Sequence, residues 1–283
     1  MSRRAARRPP VLEGPAEHGP RAEREPTPRA QLVRARVAGR HERLGRVEVH
    51  ALMRRIVAGE RSALLGLARF SDASVSELEG VARAGWGWDP SEAVVTIDPD
   101  RTLDQAAVAR ARVVDVARRG GRVAFATSRP ASLLPLHQAL ARVARDEGGT
   151  VCDPGEAGPF RAAGRARAQL WWLDGVAVLT DGAALLADPG LEAVDELLFE
   201  LGYPDLLVGD GGYAGGAIAA GIEVVAFADV DALALGAAAE RGAPVTLVPL
   251  QERRPPGAYR PLVSAFDRCP ALAPYPARSA KTP

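Results

Sequence analysis

Short apolar segments alternate with helical segments along most of the chain, and this alternation constrains the fold more than any other feature of the sequence. The apolar segments are rich in Val, Ile, Leu and Ala. The segments between them repeat apolar residues at helical spacing. Such an alternation is typical of a parallel sheet with helices on its faces. We therefore predict an α/β fold: a three-layer, Rossmann-like, mostly parallel sheet with a helical N-terminal subregion.

The predicted strands are recognised by their length, their β-branched residues and the turn signals that end them. In chain order they are EAVVTI (92–97), RVAFAT (122–127), TVC (150–152), LWWL (170–173), VAVLT (176–180), DLLVGD (205–210), IEVVAFA (222–228) and PVTLVPL (244–250). Asp174-Gly175, between the fourth and fifth segments, predicts a hairpin turn. The first third of the chain has apolar residues at helical spacing, so we predict helices there.

The ends of the chain differ in composition from its centre. Residues 1–30 are rich in Pro and Arg and lack hydrophobic periodicity, so we predict a disordered tail. We expect residues 31–268 to form a single α/β domain, with a loop and hairpin insertion at 153–188. The Pro-rich residues 269–283 are expected to be a flexible tail.

Charge and composition narrow the class of partner. A net charge of +1, from 36 basic and 35 acidic residues, provides no electrostatic footprint for nucleic acid or an anionic membrane. Only two cysteines are present, too few for a disulfide scaffold. No apolar segment approaches the roughly 20 residues needed to span a bilayer. We therefore expect a soluble, cytoplasmic protein with a small-molecule substrate, binding neither nucleic acid nor membrane; the oligomeric state is left open.

Polar residues at the ends of the predicted strands are the candidates for chemistry. In open parallel sheets, ligands bind outside the carboxyl ends of the strands. The candidates are Asp98, Asp100, Thr127, Ser128, Arg129, Asp181, Asp210, Gly211 and Gly212. Two carboxylates two residues apart, such as Asp98 and Asp100, could divide nucleophilic attack and proton transfer between them, with Mg²⁺ neutralising both.

Three of these segments resemble the motifs of haloacid dehalogenase-like phosphatases. DPDRT (98–102) is similar to the first motif, ATSRP (126–130) to the second, and GDGG (209–212) to the fourth. The resemblance implies that Asp98 is a nucleophile, Asp100 a general acid/base, and Asp210 a ligand of Mg²⁺. The chain departs from the pattern in two ways. No lysine precedes Lys281 to serve as the third motif, and residues 212–216 lack the fourth motif's second acid.

A second resemblance covers more of the chain, from about Asp98 to Phe266. The segments DPDRT, ATSRP, VGDGGY and VPLQERRPPGAYRPL are similar to motifs of a poorly characterised bacterial family, frequent in actinobacteria and known simply as "phosphatase". That family has histidines in the second and third of these motifs. This chain has Arg129 and Gly211 at the corresponding positions. The resemblance implies a phosphatase reaction class.

Each candidate also has a purely structural interpretation. Thr102, with Gln105 three residues later, has the spacing of a helix cap, and Ser128 could cap a helix that begins near Pro130. His137 lies in an apolar helical pattern that favours packing over catalysis. Asp174 and Asp181 precede glycine and favour turns. The position of Asp210, at the end of a predicted strand and in a glycine-rich turn, favours a ligand role over a purely structural one.

The leading hypothesis is hydrolysis of a phosphorylated small metabolite. Asp98 would be nucleophile or metal ligand, Asp100 the acid/base, and Asp210 a Mg²⁺ ligand. The phosphate-binding residues would be Thr127, Ser128, Arg129, Gly211 and Gly212. Two alternatives stay open: a lyase or cyclase in which Arg129 binds a small carboxylate, and a catalytically decayed protein that binds phosphate or nucleotide.

Overall fold

The computed structural model describes residues 26–70, 72–162, 165–187 and 191–268. Within these ranges the helices are α1 (Pro28–Arg34), α2 (Arg46–Val57), α3 (Arg61–Leu64), α4 (Val75–Trp86), α5 (Pro99–Arg118), α6 (Pro130–Asp146), α7 (Leu191–Leu201), α8 (Gly211–Ala219), α9 (Leu233–Glu240) and α10 (Arg260–Arg268). The strands are β1 (Gly39–Arg40), β2 (Thr96–Ile97), β3 (Arg122–Thr127), β4 (Thr150–Val151), β5 (Phe160–Ala162), β6 (Arg165–Leu173), β7 (Val176–Thr180), β8 (Leu206–Asp210), β9 (Glu223–Ala228) and β10 (Val245–Pro249).

The main sheet has the strand order β10-β9-β8-β3-β7-β6-β5, and β4 pairs with the start of β3. The pairs from β10 to β7 are parallel, and β6 and β5 add an antiparallel edge. Strands β7 and β8 are buried along their whole length, as expected of strands covered by helices on both faces. The predicted α/β class with a mostly parallel sheet is confirmed.

The first predicted strand does not join this sheet. Only Thr96 and Ile97 are extended, and they pair antiparallel with Arg40 and Gly39 of β1 in a separate two-stranded sheet. The prediction that the segment before Asp98 ends a strand of the same sheet as Thr127 and Asp210 was therefore wrong. Local β-branched composition identified an extended segment, but composition carries no information about its pairing partner.

Two predicted helix caps are also corrected. Helix α5 begins at Pro99, and its N-cap is Asp98, whose carboxylate accepts a 3.0 Å hydrogen bond from Asp100 N. Thr102 instead donates its hydroxyl to the Asp98 and Pro249 carbonyl oxygens, at 3.1 and 2.8 Å. Helix α6 begins at Pro130 as expected, but its N-cap is Arg129 and not Ser128. Proline at the first helical position explains both starts.

The insertion combines a confirmed turn with an unexpected strand. Strands β6 and β7 form an antiparallel hairpin around Asp174 and Gly175, both at positive φ (54° and 84°), which is the backbone of a type I′ turn. The first half of the predicted loop and hairpin insertion at 153–188, before the hairpin, contains β5 and the beginning of β6. Its Gly, Pro and Arg content masked an edge pairing that depends on the neighbouring strand.

Helix α8 packs closely because its residues are small. A Cβ added to Gly215 would overlap the Leu65 carbonyl oxygen, and one added to Gly216 would overlap the Val194 side chain. Helix α8 thus lies directly against the turn after α3 and against α7.

The ends of the chain are only partly described. Helix α1 begins at Pro28, inside the segment predicted to be a disordered tail. The rest of that prediction, for residues 1–25, and the prediction for residues 269–283 lie outside the described residues. In the part of the chain that the structure describes, no helix combines the length and apolar character needed to cross a membrane.

Candidate functional site

The carboxyl ends of four neighbouring parallel strands gather polar side chains at one edge of the sheet. These strands are β3, β8, β9 and β10. The side chains belong to Thr127 at the end of β3, Ser128 and Arg129 after it, Asp210 at the end of β8, Asp229 and Asp231 after β9, and Glu252 and Arg253 after β10. This is the edge at which open parallel sheets bind ligands.

Asp210 is fully buried and its carboxylate accepts several hydrogen bonds from the end of β3. Oδ2 accepts from Thr127 Oγ1 at 2.5 Å, and Oδ1 accepts from Ser128 N at 2.8 Å and from the Ser128 hydroxyl. Hydrogen bonds to both oxygens offset the cost of burying the charge. Asp210 therefore fixes the backbone and side chains immediately before helix α6.

A histidine and a tyrosine lie beside the same carboxylate. His137 is fully buried, and its Nδ1 is 3.1 Å from the Leu133 carbonyl oxygen. Because a carbonyl only accepts, Nδ1 carries the proton, and in the neutral ring Nε2 presents a lone pair. That Nε2 lies 3.7 Å from Asp210 Oδ2. Burial lowers the His137 pKa, although the charge of Asp210 acts in the opposite direction. The neutral ring is thus favoured.

Tyr213 completes these surroundings from helix α8. Its buried hydroxyl has no hydrogen-bond partner among the described residues, and burial together with the Asp210 charge raises its pKa. The phenol therefore stays protonated near neutral pH.

Asp229 joins the N-terminal subregion to the sheet edge. His41 Nδ1 accepts from the backbone N–H of Leu44 at 2.8 Å and of Arg43 at 3.1 Å, so the proton is on Nε2. That N–H donates to Asp229 Oδ1 at 2.8 Å. The backbone N–H of Glu252 donates to Asp229 Oδ2 at 3.2 Å, and the Asp229 N–H donates to Glu252 Oε1 at 3.3 Å. Three distant segments are held together.

Two arginine–carboxylate pairs lie at this edge. Arg129 Nε is 3.4 Å from Glu252 Oε2, and Arg253 Nη2 is 3.7 Å from Asp231 Oδ2. Burial raises the pKa of Glu252 well above its usual value, and the charges of Asp231, Asp210 and Asp229 raise it further. Burial and the charge of Asp229 raise the pKa of Asp231 to about 6. Both carboxyl groups therefore hold protons more readily than exposed ones do.

Both arginines line one cavity at the N-terminus of α6. The cavity has a volume of about 440 Å³ and is lined by Arg129, Pro130, Ala131, Ser132, Leu185, Ala187 and Arg253. Helix α6 has no side-chain cap. The positive end of a 17-residue helix and two guanidinium groups thus face the same space, an arrangement that favours an anion.

The predicted catalytic pair does not line this cavity. Asp98 caps α5, and the start of that helix lies against the end of β10 through the bond from Thr102 to Pro249. Strand β10 is two strands from β8, which carries Asp210. The Asp100 carboxylate accepts from Arg29 Nε at 3.0 Å, in a pair where both side chains are about 60% exposed. Neither Asp98 nor Asp100 is among the residues that line the arginine cavity.

The predicted phosphate-binding residues do come together, although not all of them face the cavity. Thr127 and Ser128 are buried and donate to Asp210, whereas Arg129 lines the cavity. Gly211 begins α8 with φ of 50°, and a Cβ added there would lie 3.0 Å from Ser128 Oγ. The two positions where this chain lacks the expected histidines, 129 and 211, therefore both lie next to Ser128. Gly212 is buried within α8.

The predicted Mg²⁺ site does not fit the donors as arranged. Asp210 Oδ1 and Oδ2 accept from Thr127 and Ser128, and Asp98 caps a helix that starts against another strand. Among the described residues, no three or more His, Cys, Asp and Glu side chains are placed so that they could hold a metal ion. The Mg²⁺ prediction stays a prediction.

Several site residues were missed by sequence reasoning. They are His41, Asp229, Asp231, Glu252 and Arg253. Asp229 directly follows a predicted strand, so the strand-end criterion that selected Asp210 applies to it as well. Glu252 and Arg253 lie two and three residues after Leu250, where the last predicted strand ends. His41 had no local signal, because its partner is 188 residues away.

Comparisons with known proteins agree on a family. Residues 24–267 match a family model described as "Phosphatase". The chain is 31% identical over 239 residues to "Phosphatase SCO2771" of Streptomyces coelicolor (strain ATCC BAA-471 / A3(2) / M145), covering 78% of this chain and 86% of that protein. No solved structure matches the chain significantly. The likeness to haloacid dehalogenase-like phosphatases remains a prediction, whereas the second predicted resemblance is confirmed: the chain belongs to the bacterial phosphatase family that this model describes.

Proposed function

We propose that this protein hydrolyses a phosphate monoester of a small molecule in the arginine cavity at the carboxyl edge of the sheet. One observation carries the proposal: Arg129 and Arg253 line the same cavity at the uncapped N-terminus of α6. Guanidinium groups and a helix N-terminus are complementary to a phosphate group. The family name supports the reaction class, and the cavity of about 440 Å³ suits a small substrate.

In this proposal the two arginines bind the phosphoryl oxygens from opposite sides. Arg129 follows β3 and Arg253 follows β10, so their guanidinium groups approach from different strand ends. Because charge on the phosphoryl oxygens changes as the ester bond breaks, fixed donors at these oxygens stabilise the transition state. Asp210 acts indirectly, since its hydrogen bonds to Ser128 fix the backbone that carries Arg129.

Glu252 is the proposed general acid. It is 2% exposed and lies beside Arg129, and its raised pKa keeps it protonated where an ordinary glutamate has lost its proton. Water attacks phosphorus and forms a new P–O bond while the ester P–O bond breaks. The leaving oxygen takes the proton of Glu252, and a proton from the attacking water restores the acid. The products are an alcohol and inorganic phosphate.

The test is release of inorganic phosphate from a panel of phosphorylated small molecules by the full chain. Arg129→Ala and Arg253→Ala should each lower kcat/KM by at least about a hundredfold, the usual cost of removing one transition-state donor. Arg118→Ala is the matched control. Arg118 pairs with Glu147 at the opposite, C-terminal end of α5, and its side chain is exposed. Turnover should be unchanged in that variant.

Each reaction is run with added Mg²⁺ and with a chelator, because the motif resemblance predicts this ion. Two results contradict the proposal: phosphate release that survives both cavity substitutions, or a loss that Arg118→Ala reproduces. If no ester is hydrolysed while phosphate raises the melting temperature of the wild type alone, the protein binds phosphate without hydrolysing it.

A further inference from the structure

We propose that Asp231 is a built-in competitor for the substrate's phosphate group, and thereby a determinant of specificity at the arginine cavity. This inference rests on the proposed function, because it concerns the same cavity. It assigns a role to a residue that the hydrolysis mechanism leaves unused.

The geometry places a carboxyl group of the protein beside each cavity arginine. Arg253 Nη2 is 3.7 Å from Asp231 Oδ2, and Arg129 Nε is 3.4 Å from Glu252 Oε2. The positive charge of Arg129 also acts on Asp231 and favours its anionic form. An arriving anion must therefore draw the guanidinium groups away from carboxyl groups that they already contact. Asp231 is the more accessible of the two, with a side chain 34% exposed against 3% for Glu252.

The groups that face Asp231 come from several elements. Asp229 lies on its own segment after β9, and Glu252 and Arg253 follow β10. Arg129 approaches from the end of β3, and His41 from the segment after β1. Burial and Asp229 favour the neutral carboxyl, whereas Arg253, Arg129 and His41 favour the anion. A bound phosphate would draw the arginines away from Asp231, and the protonation equilibrium of Asp231 would then shift toward the neutral carboxyl.

The sign of the effect follows from this competition. Above about pH 6 Asp231 is an anion and opposes the ligand; below about pH 6 it is neutral and no longer competes. Anion affinity should therefore rise as the pH falls. A singly charged carboxylate ligand that replaces Asp231 beside Arg253 brings the same negative charge as the carboxylate it displaces. A doubly charged phosphate brings one negative charge more. Asp231 thus favours dianionic substrates over monoanionic ones.

The test measures sulfate binding to the full chain by calorimetry. Sulfate keeps both charges between about pH 5 and about pH 8, whereas phosphate changes its own charge in this range. The wild type is compared with Asp231→Asn. Asp89→Asn is the control, because Asp89 forms an exposed ion pair with Arg83 and does not line the arginine cavity. Asp231→Ser serves as a second variant if Asp231→Asn does not fold.

The decisive quantity is the ratio of the variant's sulfate affinity to that of the wild type at one pH. Two pH units above a pKa of about 6, full competition by one carboxylate corresponds to a ratio of up to about a hundredfold. We expect at least about tenfold at pH 8 and a ratio near one at pH 5. The ratio cancels any contribution that Glu252 makes to both proteins.

A ratio near one at both pH values, or no sulfate binding by either protein, overturns the inference. These results are independent of turnover. If the protein hydrolyses an ester but the ratio of sulfate affinities is near one at both pH values, the proposed function stands and the role of Asp231 as a competitor fails. A pH-dependent ratio in a protein that hydrolyses no ester leaves an anion site regulated by Asp231, and the proposed hydrolase function fails.

Discussion

The Thr127 hydroxyl donates a 2.5 Å hydrogen bond to the Asp210 carboxylate, joining the last residues of two neighbouring parallel strands. Both side chains are fully buried. The amide N–H of Arg129 in turn donates to Thr127 Oγ1 at 3.0 Å. One buried carboxylate thus positions the segment that begins α6 and carries the cavity arginine.

Asp210→Ala should destabilise the fold. The substitution leaves the Thr127 hydroxyl and the Ser128 N–H and hydroxyl without their acceptor, and each buried donor left unpaired costs about 1–3 kcal/mol. We expect a loss of at least about 3 kcal/mol in the free energy of unfolding, measured by urea denaturation. Asp115→Ala, at an exposed site on α5, should change it by less than about 0.5 kcal/mol. Equal effects would contradict the structural role of Asp210.

Glu252→Gln should abolish most turnover while preserving phosphate binding. Glutamine keeps the shape of the side chain but has no proton to give, and a general acid contributes about 10²–10⁴-fold to kcat. In the wild type, kcat should fall as the pH rises through the raised pKa of Glu252, since the protonated form is the active one. Steady-state pH profiles measure this. Glu223→Gln is the control. Glu223 is the first residue of β9, at the end of the strand opposite to the candidate site, and it pairs with Arg112 of α5. An unchanged profile in Glu252→Gln would remove Glu252 from the mechanism.

Asp98 variants separate capping from catalysis. Asparagine caps helices about as well as aspartate, so Asp98→Asn should leave stability nearly unchanged, whereas Asp98→Ala should cost about 0.5–2 kcal/mol. Because Asp98 caps α5 and does not line the arginine cavity, we expect phosphate release to survive Asp98→Asn. Thermal melting and turnover of both variants provide the measurement. A stable Asp98→Asn protein without turnover would restore the predicted nucleophile.

Two helical glycines should respond to alanine with opposite signs. Gly215→Ala places a methyl group on the Leu65 carbonyl oxygen and should cost about 1–3 kcal/mol or more. Gly80→Ala, in α4, meets no atom within 4 Å and should stabilise the protein by about 0.5–1 kcal/mol. Denaturation midpoints of the two variants check this contrast. Equal shifts would mean that α8 does not approach Leu65 so closely.

Much of the fold followed from local pattern. The apolar segments at 122–127, 205–210 and 222–228 form strands almost as predicted, because a strand covered on both faces needs a continuous apolar run. Asp174-Gly175 turns the hairpin, because its positive φ angles suit Asp and Gly. At the site, the strand-end rule found Asp210 and Arg129, since parallel strands place their carboxyl ends at one edge.

The sequence by itself determined the element types, the α/β class and the chemical character of the strand ends, because these depend on periodicity within short segments. Only the tertiary structure decided which ends meet. The extended segment just before Asp98, Thr96 and Ile97, pairs in a separate two-stranded sheet and not in the main one. His41 meets Asp229 across 188 residues, and Arg129 meets Glu252 across 123. These contacts are set by strand order and by the packing of whole elements, for which a local pattern holds no information.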